Sequence, residues 1–263
     1  MASALHQNWH LVRIFTLRDA LGRYRGSLLG LGWSFLNPLL MLAVYTVAFS
    51  KIFKSPEWGP KGDTPAVLAI FCGMVTFGIF GEVLARAPTL ILSNPNYVKK
   101  VVFPLEILPV TVLGSALLHA LIGLGILLIG QLLLGSGLHF TILWLPLVLL
   151  PLVLIALGIG WTFAALGVFV RDLGQSVGVI AQVFFFLSPV VYPASQTKDS
   201  PITQALLWAN PMTTVIESAR TTILFGLPPH WLPLALVTAF GAVFAWFGYA
   251  WFQKVREGFA DVV

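Results

Sequence analysis

Residues 140–170 read FTILWLPLVLLPLVLIALGIGWTFAALGVFV, and this stretch decides the class of fold. It holds no charged side chain, and it is longer than the roughly twenty apolar residues that cross a hydrocarbon core about 30 Å thick. A helix of this kind is predicted to span a membrane. Its extra length predicts that the helix tilts or projects beyond the bilayer.

The whole chain shares this character. Of its 263 residues, 58% are hydrophobic and 10% are charged, whereas soluble domains carry roughly 25% charged residues. Five more apolar runs are spread along the chain. We therefore predict an all-α membrane protein that forms a single domain, residues 1–263, with six transmembrane helices at Leu31–Phe53, Pro65–Ala87, Leu105–Leu134, Phe140–Val170, Leu173–Tyr192 and Trp231–Phe252.

The basic residues indicate how these spans are oriented. Ten of the fifteen Lys and Arg residues fall on the side that holds the N-terminal segment, the loop after the second span, Arg171 and the C-terminal tail. Basic residues collect on the cytoplasmic side of membrane proteins, so both termini are predicted to be cytoplasmic. The same residues form no continuous stripe, and nucleic acid is not a predicted partner.

Residues 195–229 break the pattern of apolar spans. Asn210, Pro211, Glu217 and Arg220 interrupt their apolar residues, and a lipid-exposed span would bear a high cost for that Glu and Arg. We predict short external re-entrant helices before the last span, shielded from lipid by protein or facing water.

Few residues are candidates for catalysis. The chain has no GxxxxGK[ST] phosphate loop, the motif whose backbone and lysine hold nucleotide phosphates. Its one cysteine, Cys72, lies in an apolar run, and only His6 and His10 among its five histidines have helical metal-site spacing. No nucleophile has an evident base partner. We predict a chain that is not an enzyme and has no catalytic residue, no metal site and no cofactor of its own.

Four motifs carry a resemblance to a known family. They are RDALGRYRGSLLGLGWSFLNPL at residues 18–39, YVKKVVFPLEILP at 97–109, VRDL at 170–173 and SPVVYP at 188–193. Their order and spacing cover nearly the whole chain and resemble the permeases of the ABC-2 type transporter family, specifically the polysaccharide-export branch. Leu105 departs from the pattern, because relatives often carry an Arg before the Glu.

The resemblance implies the permease subunit of an ABC transporter in the bacterial inner membrane. It implies a homodimer bound to two ATP-binding subunits, which hold ATP and Mg and hydrolyse the ATP. The expected cargo is a polyprenyl-diphosphate-linked polysaccharide, with O antigen of lipopolysaccharide as the first choice. Capsular polysaccharide, teichoic acid and small-molecule efflux are alternatives within the family. A membrane enzyme or a scaffold of polysaccharide synthesis is the alternative from another class.

Residues 1–30 are a basic segment that leads into the first span. The resemblance implies an amphipathic interface helix on the cytoplasmic membrane face. Arg23, Tyr24 and Arg25 are predicted to form the substrate entrance, since arginine is suited to a diphosphate. Glu82 and Arg86 stand four residues apart near the inner end of the second span and are predicted to pair on one helix face.

The loop after the second span has the pattern of a short helix at 93–104. Asn94 is suited to the cap and Pro95 to the first turn. The resemblance implies that this helix docks on the ATPase and transmits its closure, whereas the alternative is that its lysines only follow the charge rule. The predicted coupling residues are Asn94, Pro95, Asn96, Tyr97, Lys99 and Lys100.

Aromatic residues in the first and fifth spans are candidates for a polymer path, because aromatic faces offer apolar area with few directional demands. The alternative is that they are core or lipid-facing residues. Glu217 and Arg220 are predicted to form an external gate, with a surface pair on one helix as the alternative. The predicted path residues are Tyr45, Phe49, Phe184 and Phe185.

Overall fold

The computed structural model describes residues 8–23, 26–30, 32–48, 58–60, 62, 64–99, 103–194 and 200–262. This part of the chain is built from helices, with an isolated β-bridge between Trp58 and Thr64. Short 3-10 turns lie at Ala87–Thr89, Phe140–Trp144 and Arg256–Gly258. The α-helices are α1 (Trp9–Gly22), α2 (Gly32–Tyr45), α3 (Ala66–Arg86), α4 (Pro95–Lys99), α5 (Ile107–Leu134), α6 (Leu145–Phe169), α7 (Leu173–Leu187), α8 (Pro201–Ala209), α9 (Pro211–Ile223), α10 (Trp231–Val255) and α11 (Phe259–Val262).

Four segments of the described chain are long and apolar enough to cross a membrane, and α3, α5, α6 and α10 form most of them. Two shorter apolar helices, Gly32–Ala48 and Leu173–Leu187, lie at the first and fifth predicted spans. The prediction of an all-helical membrane protein is confirmed, while the number of six crossings stays a prediction. Helix α7 ends at Leu187, just before Pro189 and Pro193, whose missing N–H groups prevent a helix from continuing.

Helix α3 is the centre of the bundle. Its buried residues run along most of its length, and it packs against α5, α6, α7 and α9. Helices α6 and α10 also pack closely together, because Gly158 and Gly248 face each other. A Cβ atom on Gly248 would lie 2.5 Å from the carbonyl oxygen of Gly158, so this approach of two backbones requires glycine.

The chain after α3 is held against α6 in the same way. A Cβ atom on Gly167 would collide with the carbonyl group of Pro88, which lies in the 3-10 turn after α3. This contact fixes the start of the loop that leads to α4. We name the end of the bundle that holds Arg86 and α1 the α1 end, and the end that holds Ala66 the far end.

The two helices predicted within 195–229 are present as α8 and α9, and residues 195–199 lie outside the described part. The Asn210 side chain caps α9 by accepting a 3.0 Å hydrogen bond from the Met212 N–H, and Pro211 occupies the first turn. Helix α9 is largely buried against α3, α6 and α10. The prediction that these helices are re-entrant stays a prediction.

Candidate functional site

A cavity of about 640 Å³ lies at the α1 end, between α1 and the last turns of α3. Charged side chains dominate its wall. Of the predicted entrance residues, Arg23 lies here, while Tyr24 and Arg25 fall outside the described residues. The lining residues are Arg18, Asp19, Gly22, Arg23, Glu82, Ala85 and Arg86.

Two arginines in this cavity each hold a carboxylate with both ends of the guanidinium. Arg86 donates to the two carboxylate oxygens of Asp19 at 2.6 and 2.8 Å. Arg23 donates to both oxygens of Glu82, one of them at 3.3 Å. Arg86 also reaches Glu82 at 3.3 Å, and His119 Nδ1 lies 3.5 Å from the same carboxylate. The cluster thereby joins α1, α3 and α5.

The ionisation of Asp19 reflects these contacts. Partial burial of the Asp19 carboxyl favours its neutral form, but the hydrogen bonds and positive charge of Arg86 outweigh this effect. The pKa of Asp19 is therefore held below its usual range. Asp19 is charged at neutral pH and ties α1 to α3.

Only part of this cluster was evident from the sequence. The predicted Glu82 and Arg86 pair is present, but the stronger partners of both residues come from α1. Asp19 was missed because a carboxylate in a basic segment gives no sign of which distant arginine it meets. An arginine near the end of an apolar run is itself a signal, since a buried cation needs a partner.

A smaller groove of about 250 Å³ opens beside the charged cavity and shares Glu82 with it. Helices α2, α3 and α5 form its walls. Apart from Asn37, Glu82 and His119, its lining is apolar or glycine. The lining residues are Asn37, Pro38, Met41, Phe71, Met74, Val75, Gly78, Ile79, Glu82, Ala116, His119, Ala120 and Gly123.

The helix predicted at 93–104 is shorter in the structure, where α4 covers Pro95–Lys99 and residues 93, 94, 103 and 104 are not helical. It has two different faces, and its coupling role stays a prediction. Pro95, Asn96 and Lys99 are exposed, and Lys100 lies outside the described residues. Tyr97 is half-buried and points inward. The side-chain amide of Asn94 donates to the Leu90 carbonyl at 2.9 Å.

Tyr97 connects α4 to α1. Its ring stacks on Phe103 at 4.6 Å and meets the edge of Phe15 at 5.6 Å between ring centroids. Its hydroxyl accepts a 3.0 Å hydrogen bond from Arg18, whose guanidinium lies 4.2 Å from the Phe15 ring centroid. Helix α4 and the charged cavity therefore both contact α1.

The end of the loop after α4 is tied to the last helices of the chain. The buried carboxylate of Glu106 accepts a 2.9 Å hydrogen bond from Arg256. The Glu106 backbone carbonyl accepts another, also 2.9 Å, from the Trp161 indole. The loop that carries α4 is thus anchored to both α6 and the C-terminal end of α10.

At the far end, the guanidinium of Arg220 is wholly buried. It donates to the carbonyl of Ala69 at 2.9 Å, to the carbonyl of Val190 at 2.6 Å and to Glu217 at 3.0 Å. The ring of Trp58 lies 4.8 Å from it. Arg220 is therefore an interior residue rather than part of a surface pair, and the gate role of Glu217 and Arg220 stays a prediction.

The predicted path residues occupy different surroundings. Phe184 is 37% exposed and contacts Phe80 at 5.6 Å, whereas Phe185 is half-buried with its ring against Phe77 at 5.3 Å. Tyr45 packs on a separate apolar cluster near the far end of α3. Phe49 lies outside the described residues.

Four segments of the described chain that are long and apolar enough to cross a bilayer indicate a multi-pass membrane protein. Within the described ranges, no three His, Cys, Asp or Glu side chains come together as a metal site. A sequence model described as ABC-2 type transporter matches residues 10–224. The chain belongs to the ABC-2 type transporter family and is a permease subunit of that family.

Curated relatives match over nearly the full chain. An O-antigen export system permease protein RfbA from Myxococcus xanthus is 27% identical over 259 residues, which cover 98% of this chain and 97% of the relative. A protein of the same name from Klebsiella pneumoniae is 24% identical over 260 residues, with 96% and 95% covered. The family implies a membrane location and an ATP-binding partner.

Proposed function

We propose that this chain is the permease of an exporter that moves a polyprenyl-diphosphate-linked polysaccharide, with O antigen as the cargo, across the bacterial inner membrane. The observation that carries the proposal is the similarity to relatives named for O-antigen export, which spans at least 95% of this chain and of each relative. A match of that length includes the N-terminal motif, the coupling loop and the last span together.

The proposed assembly is a homodimer with two ATP-binding subunits, which bind and hydrolyse ATP with Mg. Each chain crosses the membrane six times with both termini in the cytoplasm, so the α1 end is cytoplasmic. Gly32–Ala48 and Leu173–Leu187 are about 26 and 22 Å long at 1.5 Å per residue, which approaches the roughly 30 Å of the hydrocarbon core.

Coupling runs through the exposed face of α4 in this proposal. Asn96 and Lys99 are exposed, as a docking surface for the ATPase requires. Movement of α4 passes to α1 through Tyr97, and to α6 and α10 through Glu106. This chain contributes motion and no catalytic group.

The remaining predicted sites complete the path of the polymer. Its diphosphate enters at Arg23 and its neighbours, where arginine forks suit phosphate oxygens. Aromatic residues of the first and fifth predicted spans line the path between two copies, and α9 closes the external exit. The residues assigned to the path and the gate are Tyr45, Phe49, Phe184, Phe185, Glu217 and Arg220.

Depletion of the protein in its native cell tests the proposal. Surface polysaccharide and the cytoplasmic pool of lipid-linked polymer are measured together. Export predicts loss at the surface with accumulation inside, and chemical analysis of the accumulated polymer separates O antigen from capsule and teichoic acid. Loss of both pools indicates synthesis instead. No change in either contradicts polysaccharide export and leaves small-molecule efflux.

A further inference from the structure

The charged cavity contains two arginines in the arrangement that binds phosphate. Arg23 and Arg86 each present two parallel N–H donors, and each pair of donors is occupied by a carboxylate. The same fork binds two oxygens of a phosphate. The carboxylates of Glu82 and Asp19 therefore occupy the positions that phosphate oxygens would take.

The cavity is accessible and carries a net positive charge. Its lining holds three arginines and two carboxylates, so the formal charge is 3 − 2 = +1. The side chains of Arg23 and Arg86 are 36% and 32% exposed, so a ligand in the cavity can reach them. Their partners are less exposed, at 16% for Glu82 and 27% for Asp19. An anionic ligand that enters the cavity therefore competes with these carboxylates for the open side of each guanidinium.

The neighbouring groove extends the cavity in an apolar direction. It begins at Glu82 and continues between α2, α3 and α5 along Met41, Met74 and Ile79. Gly78 lies on its wall, and a Cβ atom there would have no heavy atom within 4 Å. A charged chamber and an apolar groove that share Glu82 in their walls match an amphiphile with an anionic head and a hydrocarbon chain.

We propose that Arg23 and Arg86 bind the phosphate or diphosphate head group of an anionic lipid whose hydrocarbon chain lies in the groove beside Gly78. Glu82 and Asp19 are the resident counterions, and the head group displaces them. The inference deepens the proposed function, because it rests on the same entrance and names the groups that recognise the lipid carrier.

Displacement also has a mechanical consequence. The paired side chains of Arg23 with Glu82 and of Arg86 with Asp19 tie α1 to α3. A head group that takes both arginines loosens these ties. Helix α1 carries Arg18, which is bonded to Tyr97 of the coupling helix, so arrival of a lipid is transmitted to α4.

Binding of inorganic pyrophosphate to the full chain in lipid nanodiscs tests the head-group site. Arg86→Gln and Arg23→Gln are expected to weaken binding about tenfold or more, the loss of a charge-assisted hydrogen-bonded contact. Glu82→Gln and Asp19→Asn are expected to strengthen binding, because each removes a competing anion. A thermal unfolding transition measured for every variant confirms that it is folded.

Two results overturn the head-group site. One is that the folded wild-type chain does not bind pyrophosphate. The other is that folded Glu82→Gln and Asp19→Asn weaken pyrophosphate binding as much as the arginine variants. That result would show that the carboxylates support binding and do not compete with the ligand for the arginines.

Binding of a polyprenyl diphosphate, incorporated in the nanodisc, tests the groove. Gly78→Leu fills the groove and is expected to weaken lipid binding about tenfold, since about 0.8 kcal/mol is lost for each excluded CH₂, while pyrophosphate binding is unchanged. Gly125→Leu is the matched control, because Gly125 lies on α5, lines neither cavity, and a Cβ atom there would have no heavy atom within 4 Å. Equal lipid binding by both variants overturns the groove assignment.

The lipid-site proposal and the proposed function can be rejected independently. If the binding series behaves as expected while depletion leaves surface polysaccharide unchanged, the lipid site stands and the export of polysaccharide does not. If depletion blocks export while the competition by Glu82 is absent, the exporter stands and this head-group site does not.

Discussion

An arginine site lies against each end of helix α3, and the two sites are built differently. Along the helix, Ala69 and Glu82 are 13 residues apart, or about 20 Å. At the α1 end, Arg23 and Arg86 are about one-third exposed and bond to carboxylates. At the far end, Arg220 is wholly buried and bonds to two backbone carbonyls as well as Glu217.

The difference concerns how easily each cation changes partners. At the α1 end, a carboxylate side chain can rotate and both partners retain some contact with water, so water replaces part of what is lost when the two separate. The carbonyls of Ala69 and Val190 have no such freedom, and a buried polar group without a partner is costly. The α1 cluster is therefore suited to exchange, while Arg220 joins α3, α9 and the turn after α7 permanently.

Removal of the buried Arg220 cation is expected to cause the largest loss of stability. Arg220→Met leaves the carbonyls of Ala69 and Val190 without the arginine donor and Glu217 without its cation, which should lower the free energy of unfolding by about 3–5 kcal/mol. Thermal unfolding of the purified protein measures the change. Arg13→Met is the control, because Arg13 is exposed on α1. Equal transitions for the two variants would contradict a structural role for Arg220.

A side chain added next to the buried Arg220 guanidinium should cause the next largest loss of stability. A Cβ atom on Gly73 would lie 2.7 Å from Arg220 Nη2 and 2.9 Å from the Val190 carbonyl oxygen. Gly73→Ala should therefore cost about 1–3 kcal/mol. Gly78→Ala, one and a half turns later on the same helix, has open space and should gain up to about 1 kcal/mol from helix propensity. A stable Gly73→Ala variant would show that the Arg220 site is adaptable.

Swapping the two charges of each ion pair should distinguish the two sites by a smaller change in the free energy of unfolding. The double variant Asp19→Arg with Arg86→Asp restores an ion pair. Its loss in the free energy of unfolding should therefore be smaller, by about 1 kcal/mol, than the sum of the losses in the two single variants. Glu217→Arg with Arg220→Glu should show no such recovery, since the glutamate cannot donate to the two carbonyls. Recovery in the second pair alone would reverse the comparison.

The pH dependence of Asp19 should be the smallest of these effects. Its pKa is lower in the folded protein, so its stabilisation is present above the ordinary carboxyl pKa of about 4 and is lost as the pH falls through the folded value. The difference in unfolding temperature between wild type and Asp19→Asn should stay constant from pH 8 to pH 5 and shrink in stronger acid. If the difference in unfolding temperature disappeared near neutral pH, the pH dependence would belong to a group other than Asp19.

The helices were largely predictable because their signals are local. The second span was predicted at Pro65–Ala87 and is helical over Ala66–Arg86, since uninterrupted apolar residues end at recognisable breaks. The break at Asn210 and Pro211 likewise separates α8 from α9. Helix α7 is shorter than predicted, because hydropathy continues past the point where prolines end the helix.

The partners of charged residues were not predictable in the same way. The sequence indicated Glu82 with Arg86 and Glu217 with Arg220, which are neighbours on one helix. It gave no sign that Arg220 meets the Ala69 carbonyl, 151 residues away in the chain. Such contacts depend on which helices pack together, and backbone acceptors leave no mark in the sequence.

Phe259 has a practical consequence for the handling of this protein. Its ring is wholly buried, 5.4 Å from the ring of Phe252 and 6.1 Å from that of Phe169, and the short helix that begins with it touches α4. Shortening the chain before Phe259 would open a hole beneath the coupling loop. An affinity tag or fluorescent protein attached at Val262, which is exposed in the same short helix, would lie beside the proposed ATPase contact, so a label for studies of the complex belongs elsewhere on the chain.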